Sequence, residues 1–202
     1  MERKREVAKA ILCGVVLALL PLLGAKQFQI GQRNFSPASS SLYYGPSCNG
    51  TSTNTCDVPL TYRSQAGLSG YELGFPITMG SNPAGYTVQA FGGGFVVAAG
   101  NMQGGLRDSS GALVCNNSAS VAETVSDAWT EYTSGVSSCP TLTASTAYVV
   151  TVQQSDATSA ISDPGPSVGF YAGGVTFGTW SSSLTLSGGG YSYAIYVRVT
   201  AN

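Results

Sequence analysis

Short apolar runs separated by Gly, Ser, Asp and Asn breaks fill the chain from residue 71 to residue 202. Past residue 25, no window carries the 3.6-residue apolar stripe of an amphipathic helix. Breaks at intervals of about 8–12 residues are typical of an all-β sandwich or barrel. The pattern predicts strands at 71–79, 86–91, 95–99, 105–108, 112–116, 119–124, 129–133, 147–154, 167–172, 182–186 and 191–200.

Alternation of apolar and polar residues is clearest in the last predicted strand, 191–200. One face carries Tyr191, Tyr193, Ile195, Val197 and Val199, whereas the other face is more polar. A period of two with one apolar face predicts a strand that is buried on one side and lies well inside a sheet.

Two local patterns predict how strands connect. The sequence DSSG at 108–111 favours a tight hairpin, because Asp and Ser bond their own backbone and Gly accepts a positive φ. Tyr148 enters the strongly β run YVVTV six residues after Leu142, so its hydroxyl can return to an upstream backbone group. That is the tyrosine-corner arrangement of Greek-key sandwiches.

Four segments in order carry a resemblance to a known class of protein. They are GLRDSSGALV at 105–114, Trp129 in a short strand, PTLTASTAYVVTVQ at 140–153 and YAIYVRV at 193–199. Their order resembles the non-catalytic β-sandwich modules, jelly-roll or fibronectin-like, of bacterial surface proteins and of phage virion and tail proteins. The resemblance covers residues 71–202 and implies a single Greek-key or jelly-roll sandwich with an adhesion, carbohydrate-binding or capsid role. It carries over no catalytic residue.

The N-terminal residues 1–25 have the pattern of an export signal. Arg3, Lys4, Arg5 and Lys9 precede an uncharged, mostly apolar run of sixteen residues that ends in small side chains. As a helix this run would be roughly 24 Å long, shorter than a hydrocarbon core of about 30 Å. A cleaved signal peptide and a retained membrane-anchor helix both stay open. In either case we expect the remainder to be exported, to the extracellular space, a cell surface or a virion.

Four cysteines lie in the part of the chain that follows residue 25. Two of them, Cys48 and Cys56, lie in an irregular arm predicted at 26–70, and the other two, Cys115 and Cys139, lie in the sandwich domain predicted at 71–202. An even number of cysteines in an exported chain predicts disulfides. We favour the sequence-local pairs Cys48–Cys56 and Cys115–Cys139, and the two other pairings stay open. A metal site would lack the usual C-x₂-C spacing.

Composition narrows the chemistry further. The chain has no histidine, which excludes Ser-His-Asp triads, Cys-His pairs and His-ligated metals. Charged residues make up 9%, and four of the nine basic ones lie in the first nine positions, so no basic surface remains for nucleic acid. The 26 glycines, 27 serines and 18 threonines concentrate at predicted turns and outer strand faces. We expect no enzymatic activity and no cofactor.

Glycine runs lie between the predicted strands. They occur at 92–94, 104–105, 173–174 and 188–190, and none of them precedes a helical pattern. This placement predicts hairpin loops or close approaches of two backbones rather than a cradle for phosphate.

Aromatic residues are the candidate ligand contacts. Tyr171, Trp180 and Tyr191 lie in a Gly/Ser-rich part of the chain. Exposed rings on a rigid sheet can stack on the faces of sugars. Packing in the core and contact with a protein partner are the alternative roles.

Acidic residues give two further candidate sites. Glu123, Asp127 and Glu131 fall within nine residues, but a pair of glycosidase carboxylates needs a cleft, and solvated charge is the alternative. Asp156 and Asp163 lie in a polar loop and are weak candidate Ca²⁺ ligands, because they lack a D-x-D spacing. Neither pattern predicts catalysis.

The sequence therefore predicts a non-enzymatic, exported surface or virion protein with a structural or attachment role. It would act through protein–protein assembly, and homo-oligomers would be compatible with that role. A carbohydrate-binding module with exposed aromatic residues is the alternative. The expected partners are proteins of a surface or particle assembly, or glycans under the alternative, and membrane contact would involve residues 1–25 alone.

Overall fold

The computed structural model describes residues 40–46, 48–53, 69–95, 100–117, 119–122, 128–133, 136–155, 169–188 and 195–202. Within these ranges the chain is almost entirely β-structure, with one short 3-10 turn at Val136–Ser138. None of the helical structure in these ranges is long and apolar enough to cross a membrane. The predicted export segment, 1–25, lies outside the described residues.

The described strands form two antiparallel sheets in a sandwich-like fold. The five-stranded sheet has the order β2-β1-β12-β4-β8, and the seven-stranded sheet has the order β11-β10-β3-β9-β5-β6 with β7 paired to β5. The strands are β1 Ser41–Gly45, β2 Cys48–Thr51, β3 Tyr71–Thr78, β4 Tyr86–Phe95, β5 Asn101–Asp108, β6 Leu113–Asn116, β7 Val121–Ala122, β8 Ala128–Tyr132, β9 Ala147–Gln154, β10 Phe170–Gly173, β11 Ser187–Gly188 and β12 Ile195–Ala201.

The hydrophobic core combines alternate residues of both sheets. Leu73 and Phe75 from β3 join Ile195, Val197 and Val199 from β12 in one buried cluster. The apolar face predicted for the last strand is confirmed at these three β12 positions, which are at most 1% exposed, whereas Tyr196 on the opposite face is buried as well, at 3%. Its interior position is also confirmed, because β12 pairs with β1 on one side and with β4 on the other. The predicted members at 191 and 193 lie outside the described residues.

The predicted corner at Tyr148 is confirmed. Strand β9 has the bounds that the sequence predicts, Ala147–Gln154, and Tyr148 lies one residue inside it. The Tyr148 hydroxyl accepts a hydrogen bond from the backbone N–H of Thr143 at 3.1 Å. This bond fixes the entry of the chain into a central strand of the larger sheet.

The predicted hairpin at 108–111 is also confirmed. The backbone N–H of Gly111 donates to the carbonyl of Asp108 at 3.0 Å, and Gly111 has a φ of +89°, where glycine is favoured. The Asp108 carboxylate accepts bonds from the Ser110 hydroxyl and from the backbone N–H groups of Ser110 and Ala112. These bonds, led by the one from the Ser110 side chain, lower the pKa of Asp108 below its ordinary value.

The stretch 41–51 differs from the irregular arm that the sequence predicts. It forms β1 and β2, and β1 adds to the smaller sheet by pairing with β12, with Leu42 opposite Val199. Tyr44 is 2% exposed in the common core, and its hydroxyl accepts a bond from the backbone N–H of Gly80 at 3.1 Å. Burial is the main cause that raises the pKa of Tyr44 above its ordinary value.

Two of the glycine runs lie inside strands, which corrects their prediction as hairpin loops. Strand β4 continues through the glycines at 92–94 to Phe95, and Gly104 lies within β5. A Cβ on Gly92 would lie 2.1 Å from Cζ of Tyr196, and a Cβ on Gly104 would lie 2.3 Å from Cβ of Phe91. Side chains, and not a second backbone, occupy the space beside Gly92 and Gly104, so the expected close approach of two backbones is not found at these two positions.

Candidate functional site

A loop covers the face of the larger sheet that points away from the core. We call residues 174–186 the cover segment; it follows β10 and begins at Gly174, whose φ is +74°. The backbone N–H of Val175 donates to the carbonyl of Gly70 at 2.9 Å, and that of Leu184 donates to the carbonyl of Gly111 at 3.1 Å. The prediction of a strand at 182–186 is wrong. This stretch lies against the β5–β6 hairpin and makes a single β-bridge with it, between Ala112 and Ser183.

A buried ion pair lies beneath the cover segment. Arg107 donates from Nε to Oε1 of Glu72 at 2.6 Å and from Nη2 to Oε2 at 2.9 Å. Glu72 is 2% exposed and Arg107 is 0% exposed. Gln153 lies on β9 between their strands and donates from Nε2 to Oε2 of Glu72 at 3.2 Å. Each charge is thus paired and hydrogen-bonded, as burial requires.

The ion pair also holds the cover segment in place. Arg107 donates from Nη1 to the carbonyl of Ser181 and to that of Gly111, both at 3.0 Å. Gln153 donates to the carbonyl of Thr179 at 3.2 Å, and its Oε1 accepts a bond from the N–H of Gly178 at 3.1 Å. The polar groups of the sheet therefore satisfy the backbone of the cover segment.

Trp180 lies within this network rather than on an open surface. It is partly buried, and its indole N–H donates to Oε1 of Gln103 at 3.1 Å. A Cβ on Gly105 would lie 2.4 Å from the Trp180 ring, so the ring lies directly against that glycine. Of the three predicted stacking residues, Trp180 therefore anchors the cover segment, and Tyr191 lies outside the described residues.

Tyr171 is the predicted stacking residue that is exposed, and it is not alone. Tyr71 and Tyr171 are each 39% exposed, and their ring centroids lie 6.3 Å apart at an interplanar angle of 65°. Their strands, β3 and β10, are hydrogen-bonded neighbours, with Gly173 opposite Tyr71 and Leu73 opposite Tyr171. We call these two rings the tyrosine face. They are the exposed large apolar side chains of the described ranges.

The disulfide prediction is confirmed for one pair. Cys115 and Cys139 are bonded, and their Cα atoms lie 5.1 Å apart. Cys48 is disulfide-bonded as well, and Cys56, its predicted partner, lies outside the described residues.

The acidic candidates do not come together in the part of the chain that the structure describes. Glu131 pairs with Arg198 of β12 on a partly exposed surface. Glu123, Asp127, Asp156 and Asp163 lie outside the described residues. The described ranges hold no group of three or more His, Cys, Asp or Glu residues that could bind a metal ion.

Comparisons with known proteins add no relative. No family model, no curated protein and no solved structure matches the chain.

Sequence reasoning missed two parts of this region, the Glu72–Arg107 pair and Tyr71. A signal for the pair was present, since Glu72 and Arg107 are two of the few charges in the sandwich region and each lies inside a predicted strand. A charge inside a strand of such a charge-poor chain indicates a partner of opposite charge elsewhere in the same sheet.

Proposed function

We propose that the chain is a non-enzymatic, exported structural or attachment protein of a cell surface or virion that assembles through its tyrosine face. The observation that carries this proposal is the exposure of Tyr71 and Tyr171 side by side on two hydrogen-bonded strands. Tyrosine is enriched in protein interfaces, where it supplies a large contact area at a low cost in conformational entropy. Neighbouring strands hold both rings in place before a partner arrives.

Low charge supports assembly with further copies of the chain. Charged residues are 9% of the sequence and the formal net charge is −1. Electrostatic repulsion between copies is therefore small, and a net charge near zero favours association.

The pairing of the charged side chains in ion pairs supports a structural rather than a catalytic role. Glu72 and Arg107 are buried and bonded to each other, and Glu131 is paired with Arg198. A general acid or base needs a carboxyl that can reach a substrate and exchange its proton. These carboxylates instead hold strands and the cover segment.

We also propose that residues 1–25 direct export of the chain and that the sandwich has a Greek-key or jelly-roll topology. The tyrosine corner at Tyr148 supports the Greek-key assignment. The basic and apolar pattern of residues 1–25 supports export. The resemblance to β-sandwich modules of bacterial surface proteins and phage particles agrees with both.

Light scattering of purified variants tests the tyrosine face. Replacing both rings by Ser (Tyr71→Ser with Tyr171→Ser) should dissociate the assembly, because the apolar contact area is lost. The matched control replaces both by Phe, which keeps the rings and should keep the assembly. Equal masses for the Ser variant and the unmodified protein would contradict the proposal.

Glycan binding through the same face is the second candidate function. Two rings held 6.3 Å apart offer adjacent surfaces to the apolar faces of a sugar chain. A glycan panel tests it, with binding expected for the unmodified protein and lost in the double Ser variant. A panel without any binding oligosaccharide would remove this candidate and leave assembly untouched.

A further inference from the structure

A cavity of about 230 Å³ lies between the cover segment and β3. Its lining includes Glu72 from the sheet and, from the cover segment, Val175, Thr176, Thr179, Ser181 and Leu184. The cavity is separate from the tyrosine face, because neither Tyr71 nor Tyr171 lines it.

The charges at the cavity favour a neutral occupant. The Glu72 carboxylate accepts bonds from Arg107 through both oxygens, so the pair is neutral as a whole. Four of the N–H bonds of Arg107 are directed to Glu72, Gly111 and Ser181, and the guanidinium is 0% exposed. An anion would approach the carboxylate without a cationic donor at the surface, and a cation would compete with Arg107.

Hydroxyl groups give the cavity its recognition chemistry. Thr176, Thr179 and Ser181 bring three of them, and each hydroxyl can both donate and accept. The Ser181 hydroxyl donates to the carbonyl of Ser183 at 2.8 Å and keeps its lone pairs for a donor from a ligand. The Glu72 carboxylate borders the cavity, but its side chain is 1% exposed and already accepts bonds from Arg107 and Gln153, so the contacts to a ligand come from the hydroxyls.

The aliphatic lining and the volume set the size of the occupant. Val175 and Leu184 offer an apolar surface beside the hydroxyls, which suits a ring with C–H groups on one face and O–H groups at its edge. Pockets for drug-sized ligands measure about 300–1,000 Å³, so this smaller cavity suits one ring rather than a chain of rings.

We infer that this cavity is a binding site for a single neutral, polyhydroxylated ring, such as one unit of a sugar. Thr176 and Thr179 bond its hydroxyls, and Val175 and Leu184 contact its C–H face. The inference extends the second candidate function to a different site and does not depend on the tyrosine face.

Saturation-transfer NMR with a panel of free hexoses tests the inference on the full, unmodified protein. A neutral hexose should receive saturation, whereas the matching hexuronate and hexosamine should bind more weakly because each adds a charge. The isosteric double variant Thr176→Val with Thr179→Val keeps the side-chain shape, and both positions are exposed, so it should fold normally. Loss of two hydrogen bonds should weaken binding by about tenfold or more.

The matched control is Thr141→Val with Thr143→Val, two exposed threonines outside the cavity, and it should bind as the unmodified protein does. The double Ser variant of the tyrosine face should also bind unchanged. Absence of transfer to every neutral hexose would overturn the inference, as would equal affinity in the Thr176/Thr179 variant. If binding is lost only in the double Ser variant of the tyrosine face, the sugar binds at that face and the inference of a site in the cavity is wrong.

Discussion

Arg107 reaches across strand β9 to place its Nε 2.6 Å from Oε1 of Glu72, and both side chains are almost fully buried. The two residues lie 35 positions apart in sequence, on strands that are not direct neighbours. Gln153 fills the strand between them and bonds the same carboxylate. The pair joins β3 to β5 across β9 and fastens the cover segment through the carbonyl of Ser181.

Removing one member of this pair should destabilise the fold strongly. Arg107→Met leaves the Glu72 carboxylate buried without its cation, and such a loss costs about 3–5 kcal/mol. Chemical denaturation measures the change in the free energy of unfolding. The control Glu131→Gln breaks the partly exposed pair with Arg198 and should cost less than about 1 kcal/mol.

The double variant Glu72→Leu with Arg107→Met removes both charges. It should be more stable than Arg107→Met alone, because no unpaired charge is left in the interior. Equal losses in Arg107→Met and Glu131→Gln would contradict the large cost expected for a Glu72 carboxylate that is buried without its cation.

The tyrosine corner should make a measurable contribution to stability. Tyr148→Phe removes the acceptor of the Thr143 N–H and should lower the free energy of unfolding by about 1 kcal/mol. Tyr171→Phe removes a hydroxyl from an exposed ring and serves as the control, with little change expected. Equal guanidinium midpoints for the two variants would argue against the corner as a stabilising contact.

The Cys115–Cys139 bridge should stabilise the sandwich by restricting the unfolded chain. The residues are 24 positions apart, and for a loop of that length the expected contribution is about 3 kcal/mol. The double variant Cys115→Ala with Cys139→Ala should lose that amount in a denaturation experiment. Peptide mapping without reduction should recover the two cysteines in one linked pair, and a link from Cys115 to Cys48 would contradict the fold.

Asp108 should make the hairpin sensitive to acid. Its pKa is lowered in the folded state, so its stabilising contribution is present above the pKa of the unfolded chain and is lost as pH falls through the folded pKa. Thermal unfolding between neutral pH and strongly acidic pH should show a shallower loss of Tm in Asp108→Asn than in the unmodified protein. Parallel curves would mean that Asp108 is not linked to folding.

Sequence alone predicts the parts of the fold that depend on local pattern. The bounds of β9, the apolar face of β12, the Asp108 hairpin and the Tyr148 corner all follow from residues close together in the chain. Cys115–Cys139 follows from sequence proximity among a small number of cysteines.

Features that depend on sheet register could not be predicted in this way. Glu72 can reach Arg107 because the sheet places β3 and β5 on the two sides of β9. The ring of Trp180 lies against Gly105 because the cover segment folds back over the sheet. Gly92 resembles a turn residue in sequence, but the Tyr196 ring from the neighbouring strand is what requires it. Tyr71 is the first residue of a predicted strand, and its exposure depends on where β3 begins and β10 ends.

If the chain assembles through the tyrosine face, the mass of the purified protein in solution should exceed that of one chain. Multi-angle light scattering coupled to size exclusion should give a mass several times the 20.7 kDa of one chain, rising with protein concentration. A single species with the mass of one chain at all concentrations would contradict assembly of this protein with its own copies.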